Sequence, residues 1–137
     1  VYWIIYRNMK RYSDLQVTDL VLSIEIETIG NPDYLLTVNG QHYIDNMHLP
    51  LLDPINIDIE FKNKVYTTEY ETAIIVDISI DNINIIPTYN HLVQYVNDHN
   101  QVVTSNYIGF NGKWTLTIDR PFYQWLHQVQ NQGWLLD

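Results

Sequence analysis

Leu20 to Ile29 alternates cleanly between apolar and polar positions. Leu20, Leu22, Ile24 and Ile26 point one way, and Val21, Ser23, Glu25 and Glu27 point the other. A period of two over this length predicts a half-buried strand, and the turn cluster Gly30-Asn31-Pro32-Asp33 ends it. Tyr34 to Val38 then meets Asn39-Gly40, followed by Gln41 to Ile44. Asn-Gly between two β-rich runs predicts a tight hairpin, because both residues tolerate the positive φ of a type I′ turn. Asp45 to Pro54, with its two prolines, reads as a loop or short connection. Ile55, Ile57, Ile59 and Phe61 form the next apolar stripe, and Ile74, Val76, Ile78 and Ile80 another. Asp81-Asn82 breaks that strand before a brief continuation at Ile83 and Ile85.

Pro87 to Gly112 has little periodicity, which predicts a long connection with a short helical piece near 91–97. Asn111-Gly112 is a second turn signal. Lys113 to Ile118 is a final strand with Trp114, Leu116 and Ile118 on one face. A helix follows over 121–132. Asp119 caps it, and Pro121 sits in the first turn, where a missing N–H costs nothing. Phe122, Trp125, Leu126 and Val129 keep helical spacing; Gly133 ends the helix, and Trp134, Leu135 and Leu136 fold back onto the core. Strands about ten residues apart with turn chemistry between them predict a jelly-roll-like antiparallel β-sandwich carrying one C-terminal helix.

Composition agrees. The 137 residues make one domain, 1–137, large enough to bury a core without staples. Eighteen isoleucines and eleven tyrosines against a single alanine, Ala73, favour pleated sheet over surface helix. Fourteen asparagines accompany them, a bias that AT-rich codons also produce. The opening run Val1 to Tyr6 is too short to span a membrane and lacks the flanks of a signal peptide. Met9-Lys10-Arg11-Tyr12 reads like a translation start, which leaves residues 1–8 as an extension, a fragment cut or an edge strand.

Charge and residue usage exclude several function classes. The absence of cysteine removes disulfides, thiolate metal sites and cysteine nucleophiles, and leaves the compartment open. A net charge of −9 is the opposite of a nucleic-acid footprint and disfavours anionic membrane surfaces, so neither partner is expected. His42, His48, His91, His99 and His127 form no metal-binding spacing. No nucleophile elbow or phosphate-binding glycine loop is present. Glu25 with Glu27, and Asp58 with Glu60, are paired carboxylates at a spacing that could meet the roughly 5–10 Å of a glycosidase. Rows of this kind are also the ordinary solvated faces of strands, and no enzyme is expected.

The middle of the chain resembles a known family. Leu36-Thr37-Val38-Asn39-Gly40, Ile57-Asp58-Ile59-Glu60-Phe61-Lys62-Asn63 and Ile74-Ile75-Val76-Asp77-Ile78-Ser79-Ile80 are similar to motifs of the calcium-dependent carbohydrate-binding modules of the xylan-binding type. The resemblance covers residues 20–86. It implies a small jelly roll in which a loop-held calcium ion coordinates sugar hydroxyls. By position it puts Glu71 on a ligand carboxylate, with Glu69 as a second. It also puts Lys64 where the family has an aspartate. Lysine cannot ligate calcium, which takes six to eight oxygens; its ammonium could instead pair with Glu71 and fill the cation's place. Asp77 is structural in this reading.

Aromatic side chains offer a second route to sugar, since a pyranose face stacks on Tyr or Trp. Tyr66 and Tyr70, in the acidic 62–72 loop, are the candidates, while Trp114, Trp125 and Trp134 sit at core-like spacing. The aromatic C-terminal third, from Asn106 onward, is similar in style to small β-rich domains of tailed phages, which implies a virion or extracellular setting. The expected function is therefore non-catalytic glycan binding through Tyr66, Glu69, Tyr70 and Glu71, with calcium as the cofactor. The alternative is a virion or surface structural protein whose ligand is another protein.

Overall fold

The structure is a computed structural model that describes residues 19–66 and 71–136, the last six as backbone only. It is an antiparallel β-sandwich, jelly-roll-like in its connections, with one C-terminal helix. Strands β1 (Asp19–Ile29), β4 (Met47–Pro50), β6 (Ala73–Ile80), β7 (Ile83–Ile86) and β10 (Tyr107–Ile108) form one sheet. Strands β2 (Asp33–Val38), β3 (Gln41–His42), β5 (Ile55–Lys62), β8 (Gln94–Asn97), β9 (Val102–Val103) and β11 (Gly112–Ile118) form the other, in the order β3-β2-β5-β11-β8-β9. The chain changes sheet after β1, β3, β4, β5, β7, β9 and β10, so most strand neighbours are distant in sequence.

Alternation sets the register. Along β5, Ile55, Ile57, Ile59 and Phe61 face inward and Asn56, Asp58, Glu60 and Lys62 outward, matched across the ladder by Trp114, Leu116 and Ile118. Ile74, Val76, Ile78 and Ile80 close the core from the opposite sheet. Ile24, Ile57, Ile59, Ile74, Val76, Ile78, Trp114 and Leu116 are buried as the pattern predicts. Ile26 and Leu36 are only half-buried, for a shared reason. Strand β4 pairs β1 only over 19–22, and β3 pairs β2 only at Thr37 and Val38, so at both residues the strand is itself the sheet edge. Where β4 ends, the Tyr43 hydroxyl accepts a 2.8 Å hydrogen bond from the Ile24 N–H and covers that edge.

Asn39 (φ 50) and Gly40 (φ 80) form the expected hairpin turn. Asn46, Asn63, Asn82 and Asn100 also have positive φ, as does Asp81. The asparagine richness thus has a structural use: outside glycine, these short polar side chains tolerate the left-handed region best.

Three expectations need correction. The 45–54 connection contains β4, which pairs the start of β1. The region near 91–97 is a 3₁₀ turn, Asn90–Leu92, and then strand β8, because Tyr95 and Asn97 alternate inward and pair with β11. The helix α1 (Phe122–Leu136) runs through Gly133. A mid-helix glycine costs only about 1 kcal/mol relative to alanine, so the backbone of 134–136 continues the helix instead of turning back. Phe122, Trp125 and Leu126 are buried and Val129 packs against the core. Residues 1–8 lie outside the described residues.

The register also fixes which end is which. Leu22 pairs Ile80 and Ile118 pairs Ile55 toward the end where Tyr123 of α1 donates to Asp81 at 2.8 Å. Ile29 pairs Ala73, and Gly112 pairs both Phe61 and Asn97, toward the other end. Residues 62–66 and 71–72 sit at that second end, away from the helix.

Candidate functional site

Lys64 is the hub of this end. Its side chain is 8% exposed, and its ammonium donates to the Gly109 carbonyl (2.6 Å), the Thr72 carbonyl (2.9 Å) and Glu71 Oε1 (3.3 Å). All three ammonium protons are thereby used. The Tyr66 and Phe110 rings flank it, with centroids at 5.6 and 5.9 Å. Local structure puts it there. Asn111 brackets the backbone of residue 64, accepting from its N–H (2.9 Å) and donating to its C=O (3.0 Å). Gly30, at φ +71, lets the β1–β2 turn approach so closely that a Cβ there would lie 2.6 Å from the Glu71 carbonyl. Asn111 is thus a clamp in the bend before β11, and Gly112 starts that strand. Gly112 is required because a Cβ would stand 2.3 Å from the Val96 carbonyl on β8.

Around the hub is a cluster of exposed aromatic rings. Tyr66 is 44% and Phe110 38% exposed. His99 packs against both, with centroids 5.1 Å from Tyr66 and 4.3 Å from Phe110. The Tyr66 hydroxyl lies 2.7 and 2.8 Å from the two Asp98 carboxylate oxygens and accepts from the Asn111 N–H at 2.8 Å. His99 Nδ1 is 2.8 Å from Asp98 Oδ1. The Tyr66 hydrogen bond, and then His99, hold the Asp98 carboxyl below its ordinary range. Desolvation and the Asp98 carboxylate push the Tyr66 phenol up. Beneath them the Tyr95 hydroxyl donates to the Phe110 carbonyl and accepts from its N–H (3.0 Å), which fixes the Phe110 backbone. Burial pushes Tyr95 up to about 12. Tyr107, 43% exposed, reaches Glu71 Oε1 at 3.5 Å.

Beside the cluster, the outer face of the β5–β11–β8 sheet holds an open groove of about 670 Å³, lined by Glu60, Lys62, Asn63, Val96, Asp98 and Lys113 among others. Glu60 is directly opposite Lys113. The side chains of Glu60 and Lys62 have no hydrogen bond or ion pair among the described residues, and Lys113 stands only loosely by Asp58, at 3.9 Å. These groups can donate to and accept from a polyhydroxyl ligand.

Of the four expected site residues, Tyr66 and Glu71 are brought together around Lys64. Glu69 and Tyr70 lie outside the described residues. The described residues do not fit calcium: the acceptors that would ligate it, Glu71 and two carbonyls, hold the ammonium instead, and no group of three or more His, Asp or Glu converges among them. Glu25 and Glu27 lie exposed on the other sheet's outer face, and Asp58 accepts from the Thr115 hydroxyl at 3.0 Å. Asp98, His99, Phe110 and Asn111 were not among the expected site residues. The only signal for them was the dipeptides Asp98-His99 and Asn111-Gly112 in the aperiodic stretch. Comparisons of the chain with family models, with curated proteins and with solved structures each return no match.

Proposed function

We propose that this protein is a non-catalytic carbohydrate-binding domain whose site is the Tyr66–His99–Phe110 cluster and the adjoining groove, with the Lys64 ammonium standing in the place of a calcium ion. The observation that carries the reading is the pinned, solvent-facing Tyr66: its hydroxyl is committed to Asp98 and Asn111 while its ring stays 44% exposed. A ring held in place loses little entropy on stacking against a sugar face. Glu60, Lys62 and Lys113 supply the mixed donors and acceptors that vicinal hydroxyls need, and Val96 adds an apolar contact. A glycan array tests this: retention of a polysaccharide without release of product is expected, and a blank array contradicts it.

A second reading has its own observation. Val96, Val102 and Val103 are 51%, 70% and 38% exposed along the β8–β9 edge, which suits a protein partner in a virion or surface layer. In that case the array is blank and Tyr66→Ala leaves partner binding unchanged.

A further inference from the structure

One stretch of sheet edge is open among the described residues. On β1 the Val21 carbonyl accepts from the Asp81 N–H on the β6 side, whereas the Ile24 N–H donates to the Tyr43 hydroxyl on the opposite side. Successive residues of a strand turn their N–H and C=O to alternate sides, so Ile26 and Thr28 present theirs to the side of Tyr43. Strand β4 leaves that line at Met47, opposite Leu22, and no other described residue bonds Ile26 or Thr28 there. Ile26 points to the core yet is only half-buried, because no strand lies beside it. The charge on this sheet is one-sided. Glu25 and Glu27 are exposed on its outer face, and Glu25 stands directly opposite Asp77 of β6. None of the sheet's strands carries a lysine or arginine, and neither glutamate makes an ion pair among the described residues. Two copies meeting edge to edge here would set Glu25 and Glu27 against their counterparts, which repel.

We propose that the 25–29 edge of β1 is a docking site for an extended segment of a partner protein in which apolar residues alternate with Lys or Arg. The segment adds as one more strand, antiparallel to β1 along the line that β4 leaves, and bonds the N–H and C=O of Ile26 and Thr28. An apolar residue opposite Ile26 covers the exposed part of that side chain, and the flanking Lys or Arg lie opposite Glu25 and Glu27 on the outer face. The same two carboxylates that reject a second copy of the chain therefore select a basic strand. The site is on the other sheet from the groove and does not rest on the glycan reading.

A short capped peptide, Thr-Val-Lys-Ile-Lys-Val-Thr, tests it against the same peptide with Glu for both Lys. In ¹H–¹⁵N spectra of the whole chain, the Lys peptide should shift the amides of residues 25–29 and slow hydrogen exchange at the Ile26 and Thr28 N–H groups. It should also bind roughly tenfold more tightly than the Glu peptide at low salt. Glu25→Lys combined with Glu27→Lys, which alters only exposed side chains, should reverse that preference. An N-methyl group on the peptide's central Ile removes the donor to the Ile26 carbonyl and should abolish binding, which general attraction to an acidic protein would not feel. Equal affinity for the two peptides, a preference that survives the double substitution, binding indifferent to N-methylation, or shifts that map elsewhere overturns the proposal. So does dimerisation of the chain through these amides, which would make a second copy the occupant. No binding by the Lys peptide overturns it as well, and would mean that the two glutamates only guard the edge.

Discussion

Removing the Lys64 ammonium should be among the most damaging single changes at the loop end. Lys64→Met keeps most of the aliphatic stem and deletes the charge, so the perturbation is confined to three hydrogen bonds and the ammonium's contacts with the Tyr66 and Phe110 rings. Glu71 is 62% exposed, and its carboxylate rehydrates at little cost. The Thr72 and Gly109 carbonyls are different: Gly109 is buried, Thr72 is half-buried, and both bonds are short, at 2.6 and 2.9 Å. An unsatisfied buried acceptor costs about 1–3 kcal/mol, so the expected loss is about 2–4 kcal/mol, a large share of a typical domain's stability. Urea titration followed by tryptophan fluorescence reads it directly. A loss below about 0.5 kcal/mol would mean that the carbonyls simply rehydrate and that the ammonium does not organise the site. A calcium arm sharpens the test. Wild-type melting curves in millimolar calcium and in chelator should coincide. For Lys64→Asp, which adds a carboxylate beside Glu71 and the two carbonyls, calcium should raise the midpoint by mass action. A calcium-dependent rise in the wild type would refute the idea that Lys64 fills the cation's place.

Three other outcomes follow from the geometry. Trp125→Ala should cost about 3–5 kcal/mol, since the indole is 5% exposed against Phe122 and Tyr89; a calorimetric loss below 1 kcal/mol would show that the ring is not core. Gly112→Ala should destabilise by about 1–3 kcal/mol, because the new Cβ meets the Val96 carbonyl at 2.3 Å and β8 must move; an unchanged denaturation midpoint argues against the β8–β11 register. Burial raises the Tyr95 pKa from 10.0 to about 12, against a smaller lowering by its Phe110 backbone bond. Because the folded value lies above the unfolded one, the stability tied to the neutral phenol is intact below pH 10 and is lost as pH rises toward 12. Ultraviolet titration should show a late tyrosinate that disappears in Tyr95→Phe, and Tyr95→Phe should flatten the alkaline loss of stability.

The sandwich was legible wherever a strand has one wet face. β1, β5, β6 and β11 alternate over seven or more residues, and alternation reports burial directly. β8, β9 and β10 are two to four residues long, too short to show a period; β8 and β10 are held by β11 and β6, and β9 only by β8. The site divides the same way. Tyr66 and Glu71 could be proposed because they share one acidic loop with Lys64. Asp98, His99, Phe110 and Asn111 are held together by β8–β11 pairing and the crossover from β10 to β11, and they meet Lys64 and Tyr66 only through contacts such as Tyr66–Asp98 and Lys64–Asn111, between residues 32 and 47 apart in the chain. The helix was predicted from spacing, yet its end was misplaced because glycine weakens a helix without stopping it.

The most direct test of the account is the affinity of a glycan retained on the array, measured by titration calorimetry in chelator for the wild type and for Tyr66→Ala. Tyr66 is exposed, so its loss should leave the core melting transition nearly intact. The wild type should bind without any divalent cation, and Tyr66→Ala should lose at least tenfold in affinity, about the 1.4 kcal/mol that one stacked aromatic supplies. Binding that needs calcium, or a Tyr66→Ala affinity equal to the wild type's, would contradict it.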